Sequence, residues 1–209
     1  MHKFTSRIRL ALVVASIPVL VAISSKVGLS QFPPNPPNYP NLPEPPVVPP
    51  FAAAKAQITG PGITGTVWMV QTPVFVAVNV FLQGDPKILT PGLHGIHIHE
   101  KGSCQASDNP AFTSAGGHFD PGPSGDSTEA NHSYHMGDLP NIQVNASGVG
   151  IVKTVSTRFT LSPSLLSLFD SDGSAIIVKQ LPDQMKAKGT IEDSGGARIA
   201  CGVMEPNPK

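Results

Sequence analysis

Beyond position 52 the chain settles into short runs in which apolar and polar residues alternate. The runs at 55–59, 64–71 and 73–82 are rich in Val, Ile and Thr, and Val74, Val76, Val78 and Val80 fall on one face. Successive side chains of a strand point to opposite faces, so a period of two predicts strands with one face toward a core. Gly60-Pro61-Gly62 and Gln71-Thr72-Pro73 punctuate these runs. Residues 88–92 lead into the stretch Gly92-Leu93-His94-Gly95-Ile96-His97-Ile98-His99-Glu100, and further strands are predicted at 141–145, 150–157, 174–179 and 197–204. Many short strands at close spacing predict an all-β sandwich or barrel. Two stretches break the pattern: 101–138, full of Gly, Pro, Ser, Asn and Asp, and 180–196. Loops of such length inside a compact domain are uncommon and usually functional.

Within the histidine stretch, His97 and His99 share one face, while His94, Ile96 and Ile98 share the other. Two imidazoles on one strand face make half of a transition-metal site. His94, on the inward face with the isoleucines, is expected to be a satisfied structural core residue. The first long loop carries His118, His132 and His135, with Asp138 close behind. Zinc accepts imidazole and carboxylate ligands in a tetrahedron, so His118, His132, His135 and Asp138 make a candidate closed His3Asp set. Six of the seven histidines lie between 94 and 135. That clustering points to metal rather than to scattered surface residues.

Composition narrows the class. Charged residues are 13% of the chain, and 23 prolines with 20 glycines disfavour a helical bundle. A net charge of zero gives no footprint for a nucleic acid. Residues 1–30 carry Lys3, Arg7 and Arg9, then an apolar run, then small residues, the order of a secretory signal peptide. The alternative is an uncleaved N-terminal anchor, through which alone the chain would touch a membrane. Cleavage near Ser30 would leave ten basic against fourteen acidic residues, a net charge of −4. Residues 31–51 form a proline-rich linker, expected as an extended polyproline II spacer of roughly 60 Å. The remaining domain is 52–209. Its location is expected to be secreted or periplasmic, in the cell envelope, where two cysteines allow one intramolecular pairing.

Four ordered motifs, GLHGIHIHEKGSC, TSAGGHFDP, HMGDLPN and GGARIACGV, resemble copper–zinc superoxide dismutases of the secreted bacterial type. The resemblance runs over essentially everything after Ala52. It implies an eight-stranded Greek-key β-barrel (an immunoglobulin-like sandwich) with two long functional loops. It also implies a catalytic copper, Cu2+/Cu+, bridged to a structural Zn2+, with superoxide anion as the partner. Carried over, it makes His97, His99 and His118 copper ligands and His118, His132, His135 and Asp138 zinc ligands. Cys104 and Cys201 match the family's disulfide, Arg198 its anion-positioning arginine, and Asp183 the aspartate that orients ligand histidines. Anion attraction in an acidic chain would be local, from Arg198 with Lys186 and Lys188. A homodimer is compatible with the sequence, which leaves the oligomeric state open.

One position departs from the family. The register of Gly173 to Val178 and the spacing to Asp183 put Lys179 where the resemblance calls for a fourth copper histidine, and no histidine follows His135. An ammonium about 5 Å from Cu2+ would repel it by roughly 6 kcal/mol at an effective dielectric of about 20. Copper binding then requires Lys179 to swing away, to pair with an acid such as Glu192 or Asp193, or to ligate as the neutral amine. Three functions follow: superoxide dismutation, a zinc-stabilised non-catalytic binding or structural domain, or metal storage and carriage.

Overall fold

The structure is a computed structural model and describes residues 52–121, 135–186 and 194–207. The expected signal peptide at 1–30 and linker at 31–51 lie outside the described residues, as do His132, Lys188, Glu192 and Asp193.

The alternating runs form antiparallel strands close to where the pattern places them: β1 (Ala53–Gly60), β2 (Ile63–Gln71), β3 (Val76–Gly84), β4 (Gly92–His94), β5 (Ile96–His99), β6 (Ile142–Val144), β7 (Val149–Ser156), β8 (Ala175–Lys179), β9 (Arg198–Val203) and β10 (Glu205–Pro206). In β3, Val76, Val78, Val80 and Leu82 are buried, as their parity demands. Val74 does not join them and is 74% exposed. It sits in a turn where the Thr72 hydroxyl accepts from the backbone N–H groups of Val74 and Phe75, so the strand begins later than its apolar run suggests.

The sheet path runs β4-β6-β7-β3-β2-β1-β9-β8-β5. β3 pairs with β7 rather than with the next strand, the long return expected of a Greek key. The two ends of the path, β4 and β5, are consecutive in the chain and meet at Gly95. There the histidine stretch, expected as one strand, changes partners: β4 pairs with β6, and β5 pairs with β8. The result is an antiparallel, nearly closed barrel. Counting β4 and β5 as one strand broken at Gly95, and setting aside the two-residue β10, gives the eight strands expected.

One apolar core fills the barrel, with Val67, Met69, Val78, Ile96, Ile98 and Val178 among its members. A second, smaller cluster lies outside the β8–β9 face, formed by Phe112, Ala115, Ala175, Ile177 and Cys201. The Cys104–Cys201 disulfide pins the first long loop over it. Among the described residues no helix is long and apolar enough to cross a membrane.

Candidate metal centre

β5 separates its residues by parity. Ile96 and Ile98 enter the barrel core, and His97 and His99 leave on the outer face, where both are fully buried beneath the loop. β8 lies alongside in register, with His99 opposite Ala175 and His97 opposite Ile177. One step further, the Lys179 N–H donates to the Gly95 carbonyl at 2.8 Å. Lys179 therefore shares the face that carries His97 and His99. His94, on the opposite parity, is buried with its ring nitrogens 2.9 Å from the Lys179 carbonyl and 2.7 Å from that of Thr90, a structural role as expected.

The free edge of β5 would be an exposed row of backbone groups, and two limbs of the long loop cover it. The Glu100 N–H donates to the Gly117 carbonyl, Phe119 N–H to Ile98, Ile98 N–H to Gly137, and Leu139 N–H to Ile96. These bonds bring His118 beside His99 and Asp138 beside His97. Gly137 has to be glycine, because a Cβ there would lie 2.3 Å from the Ile98 carbonyl oxygen. The loop is thus seated by backbone, and its ligand-type side chains come with it.

Each imidazole is held by one nitrogen. His97 Nε2 lies 2.6 Å from Asp183 Oδ2, and His99 Nδ1 lies 3.0 Å from the Gly116 carbonyl. Both partners accept, so these nitrogens carry the protons and leave lone pairs on His97 Nδ1 and His99 Nε2. Those two atoms are buried and have no hydrogen-bond partner among the described residues. Buried polar atoms are rarely left orphaned, so two aimed into one space fit a cation. The His118 ring stacks against His97 at 4.1 Å between centroids and meets His99 edge-on at 4.9 Å. Ligand atoms of the three lie within 4.8 Å of one another.

A second trio, His118, His135 and Asp138, is equally close. His118 Nδ1 is 2.6 Å from Asp138 Oδ1. Asp138 Oδ2 accepts from the His135 backbone N–H at 2.8 Å and lies 3.5 Å from His135 Nδ1. Nitrogen and carboxylate donors of this kind suit zinc. The two trios share His118, so one imidazole faces both. His132, expected with this set, is not among the described residues.

Supporting contacts include residues the sequence does not single out. Asn141 brackets Asp183 by donating to its carbonyl and accepting from its N–H, both at 2.9 Å. Asp183 Oδ1 accepts from the Met185 N–H at 2.6 Å. Arg198 donates to the carbonyls of Phe112 and Gly116, both at 2.6 Å. Gly116 has φ +75°, and a Cβ there would lie 2.4 Å from Glu100 Oε1. Arg158 donates to the Asp138 carbonyl. Backbone carbonyls leave no trace in a sequence pattern; Asn141 was legible only as the first residue of a predicted strand, which begins at Ile142.

Burial dominates the electrostatics. It lowers the imidazole pKa values of His97 and His99, and His99 is lowered further by repulsion from His118, whenever that ring is protonated, and from Arg198. Burial brings His118 down to about 4, against the opposing pull of Asp138. These rings are neutral near pH 7, the state that ligates. His135 is raised, chiefly by its contact with Asp138. Burial pushes the carboxyls of Asp138 and Asp183 up, but hydrogen bonds from His118 and His135, and from His97 and the Met185 N–H, more than offset it. Lys179 is 4% exposed. Burial, then repulsion from Arg198, brings its ammonium down to about 8, so it is mostly charged near pH 7. Among the described residues it has no hydrogen bond or ion pair from its ammonium, and its charge disfavours protonation of His97 and His118.

Comparison with known proteins agrees with this geometry. Residues 63–204 match the family model described as copper/zinc superoxide dismutase (SODC). A relative from Salmonella typhimurium strain LT2, superoxide dismutase [Cu-Zn] 1, is 36% identical over 153 residues, covering 70% of this chain and 80% of its own. The superoxide dismutase [Cu-Zn] of Brucella abortus is 36% identical over 157 residues, covering 72% and 84%. That of Escherichia coli K12 is 38% identical over 125 residues, covering 58% and 69%. With a family model matched across most of the barrel and relatives at this identity, the chain belongs to the copper/zinc superoxide dismutase family.

Proposed function

We propose that the chain is a secreted or periplasmic oxidoreductase that removes superoxide, with copper held by His97, His99 and His118 and zinc by His118, His132, His135 and Asp138. The observation that carries this reading is the pair of buried, partnerless lone pairs on His97 Nδ1 and His99 Nε2, converging with the His118 ring. The chemistry a bound copper supplies there is one-electron exchange: one superoxide is oxidised to O2, and a second, with two protons, is reduced to H2O2. Asp183 fixes the tautomer of His97 by accepting from Nε2, and the Gly116 carbonyl does the same for His99. Arg198, with two of its donors tied to carbonyls, presents the rest of its guanidinium as a fixed positive fork for a small anion. His118, facing both ligand sets, is the residue able to hold a proton between them. Hydrogen bonds from His118 and His135 hold the Asp138 carboxyl well below the usual carboxylate range, so it is charged near pH 7. The disulfide and the leader-like N-terminus support an oxidising compartment.

A second reading rests on Lys179. A mostly charged ammonium buried on the histidine face opposes a dication, which favours a zinc-stabilised, non-catalytic dismutase-like domain. Metal analysis of the purified protein after reconstitution, run beside a superoxide-removal assay, separates the two. Copper and zinc together with turnover support the dismutase; zinc alone without turnover defeats it.

A further inference from the structure

We infer that the three-imidazole cluster is a copper(I)-selective site, and that Lys179 is the residue that sets this selectivity. The inference rests on reading the cluster as a copper site, and it concerns which oxidation state the site prefers.

Three observations carry it. The first is the donor count. His97, His99 and His118 bring ligand atoms within 4.8 Å of one another, and no fourth histidine or cysteine joins them among the described residues. Copper(I), with a filled d shell, is satisfied by three nitrogens in a plane. Copper(II) seeks four or more donors in a tetragonal arrangement.

The second is placement. Lys179 is one same-face step along β8 from Ile177, the residue opposite His97. A Cβ on Gly95 would lie 3.2 Å from His97 Cε1 and 3.3 Å from Lys179 Cγ, so the two side chains flank one glycine. Lys179 is buried, and its stem takes the side from which β8 could otherwise offer a donor.

The third is charge. Every positive group near the site repels a dication about twice as strongly as a monocation. Lys179 and Arg198 are paired across β8 and β9 and face the cluster together. The nearby carboxylates are already engaged: Asp183 accepts from His97, and Asp138 is held by His118 and His135. Asp138 and Asp183 lie close to His97 and temper the two cations, but their oxygens are spent on His97, His118 and the N–H groups of His135 and Met185.

The test uses the full chain loaded with zinc, as wild type, Lys179→Gln and Lys179→His. Copper(I) affinity is read anaerobically by competition with bicinchoninate, copper(II) affinity by competition with nitrilotriacetate, and the copper(II) environment by electron paramagnetic resonance. Equal zinc content and thermal midpoints show that the variants are folded. Lys179→Gln is expected to leave copper(I) affinity within about threefold and to tighten copper(II) at least tenfold, by removing charge alone. Lys179→His is expected to tighten copper(II) about a hundredfold and to add a nitrogen to its spectrum. With copper(I) affinity unchanged in this variant, that hundredfold change in the ratio lowers the reduction potential by about 120 mV, at 59 mV per tenfold. Equal shifts for both ions in Lys179→Gln would overturn the inference. So would a wild-type copper(II) spectrum that already shows a lysine amine as fourth nitrogen. A wild type that binds neither ion would defeat the copper reading as a whole, whereas one that binds both without preference defeats only the selectivity.

Discussion

Removing the Cys104–Cys201 bridge tests how the loop over the histidine face is held. The bridge joins positions 97 residues apart. In the chain-entropy model, closing a loop of that size restrains the unfolded chain by about 4.7 kcal/mol. Against that, the native loop has its own anchors: Phe112 and Ala115 pack on Ala175 and Ile177, and the Phe112 carbonyl accepts from Arg198 of β9 at 2.6 Å. These should keep it docked after the cross-link is gone. The double variant Cys104→Ser/Cys201→Ser is therefore expected to fold in metal-free form with a stability loss of about 4–5 kcal/mol. For a domain of this size that is roughly 10–20 °C in Tm. Urea unfolding supplies a second readout. If the bridge acts on the unfolded chain, its loss lets that chain expand, and the denaturant slope should rise as the midpoint falls. A variant within about 1 kcal/mol of wild type would refute the reasoning. A large loss at unchanged slope would place the effect in native packing instead.

Three further outcomes follow from the same geometry. Stability of the metal-free protein should fall as pH drops from about 6.5 to 4, because His97, His99 and His118 have lowered pKa values and unfolding lets each take up a proton. His118 alone contributes on the order of 3 kcal/mol over that window. His135 is raised and works the other way, stabilising below about 6.5 and losing that effect as pH rises. Asp138 and Asp183 are lowered, so their contribution is lost only below about pH 4. A urea midpoint flat between pH 7 and 4.5 would contradict this account. Asp183→Ala, which leaves no acceptor, should weaken metal binding at the histidine face about 10–100-fold by freeing the His97 ring, as measured by chelator competition; unchanged affinity would show that the ring is fixed by packing alone. Gly137→Ala should lose more than about 2 kcal/mol and much of the zinc affinity. Its new Cβ forces the limb that carries Asp138 off β5, read by urea unfolding and zinc stoichiometry.

Much of this arrangement was legible because strands obey a strict period. Ile96 and Ile98 against His97 and His99 told inside from outside, whereas the place of Lys179 on β8 came from the family resemblance, since Ala175 to Val178 are all apolar. The strand break at Gly95 was not legible, since it depends on which distant strands pair with each half. Val74 misled because a Thr72 side chain competes locally with the ladder. The seating of the loop on the edge of β5 is made of backbone bonds, which any sequence could supply. Arg198 stood out by resemblance, but its two anchors are carbonyls and could not.

One of those anchors has a wider consequence. The oxygen of Gly116 receives hydrogen bonds from both Arg198 and His99. The guanidinium proposed to meet the substrate and the imidazole proposed to hold the metal are thereby geared to a single backbone atom. Moving one would shift the other, so on this proposal substrate capture and metal retention are coupled traits. On the proposed roles, selection acting on either would register in both, and relocating the arginine should change the spectrum of a bound metal.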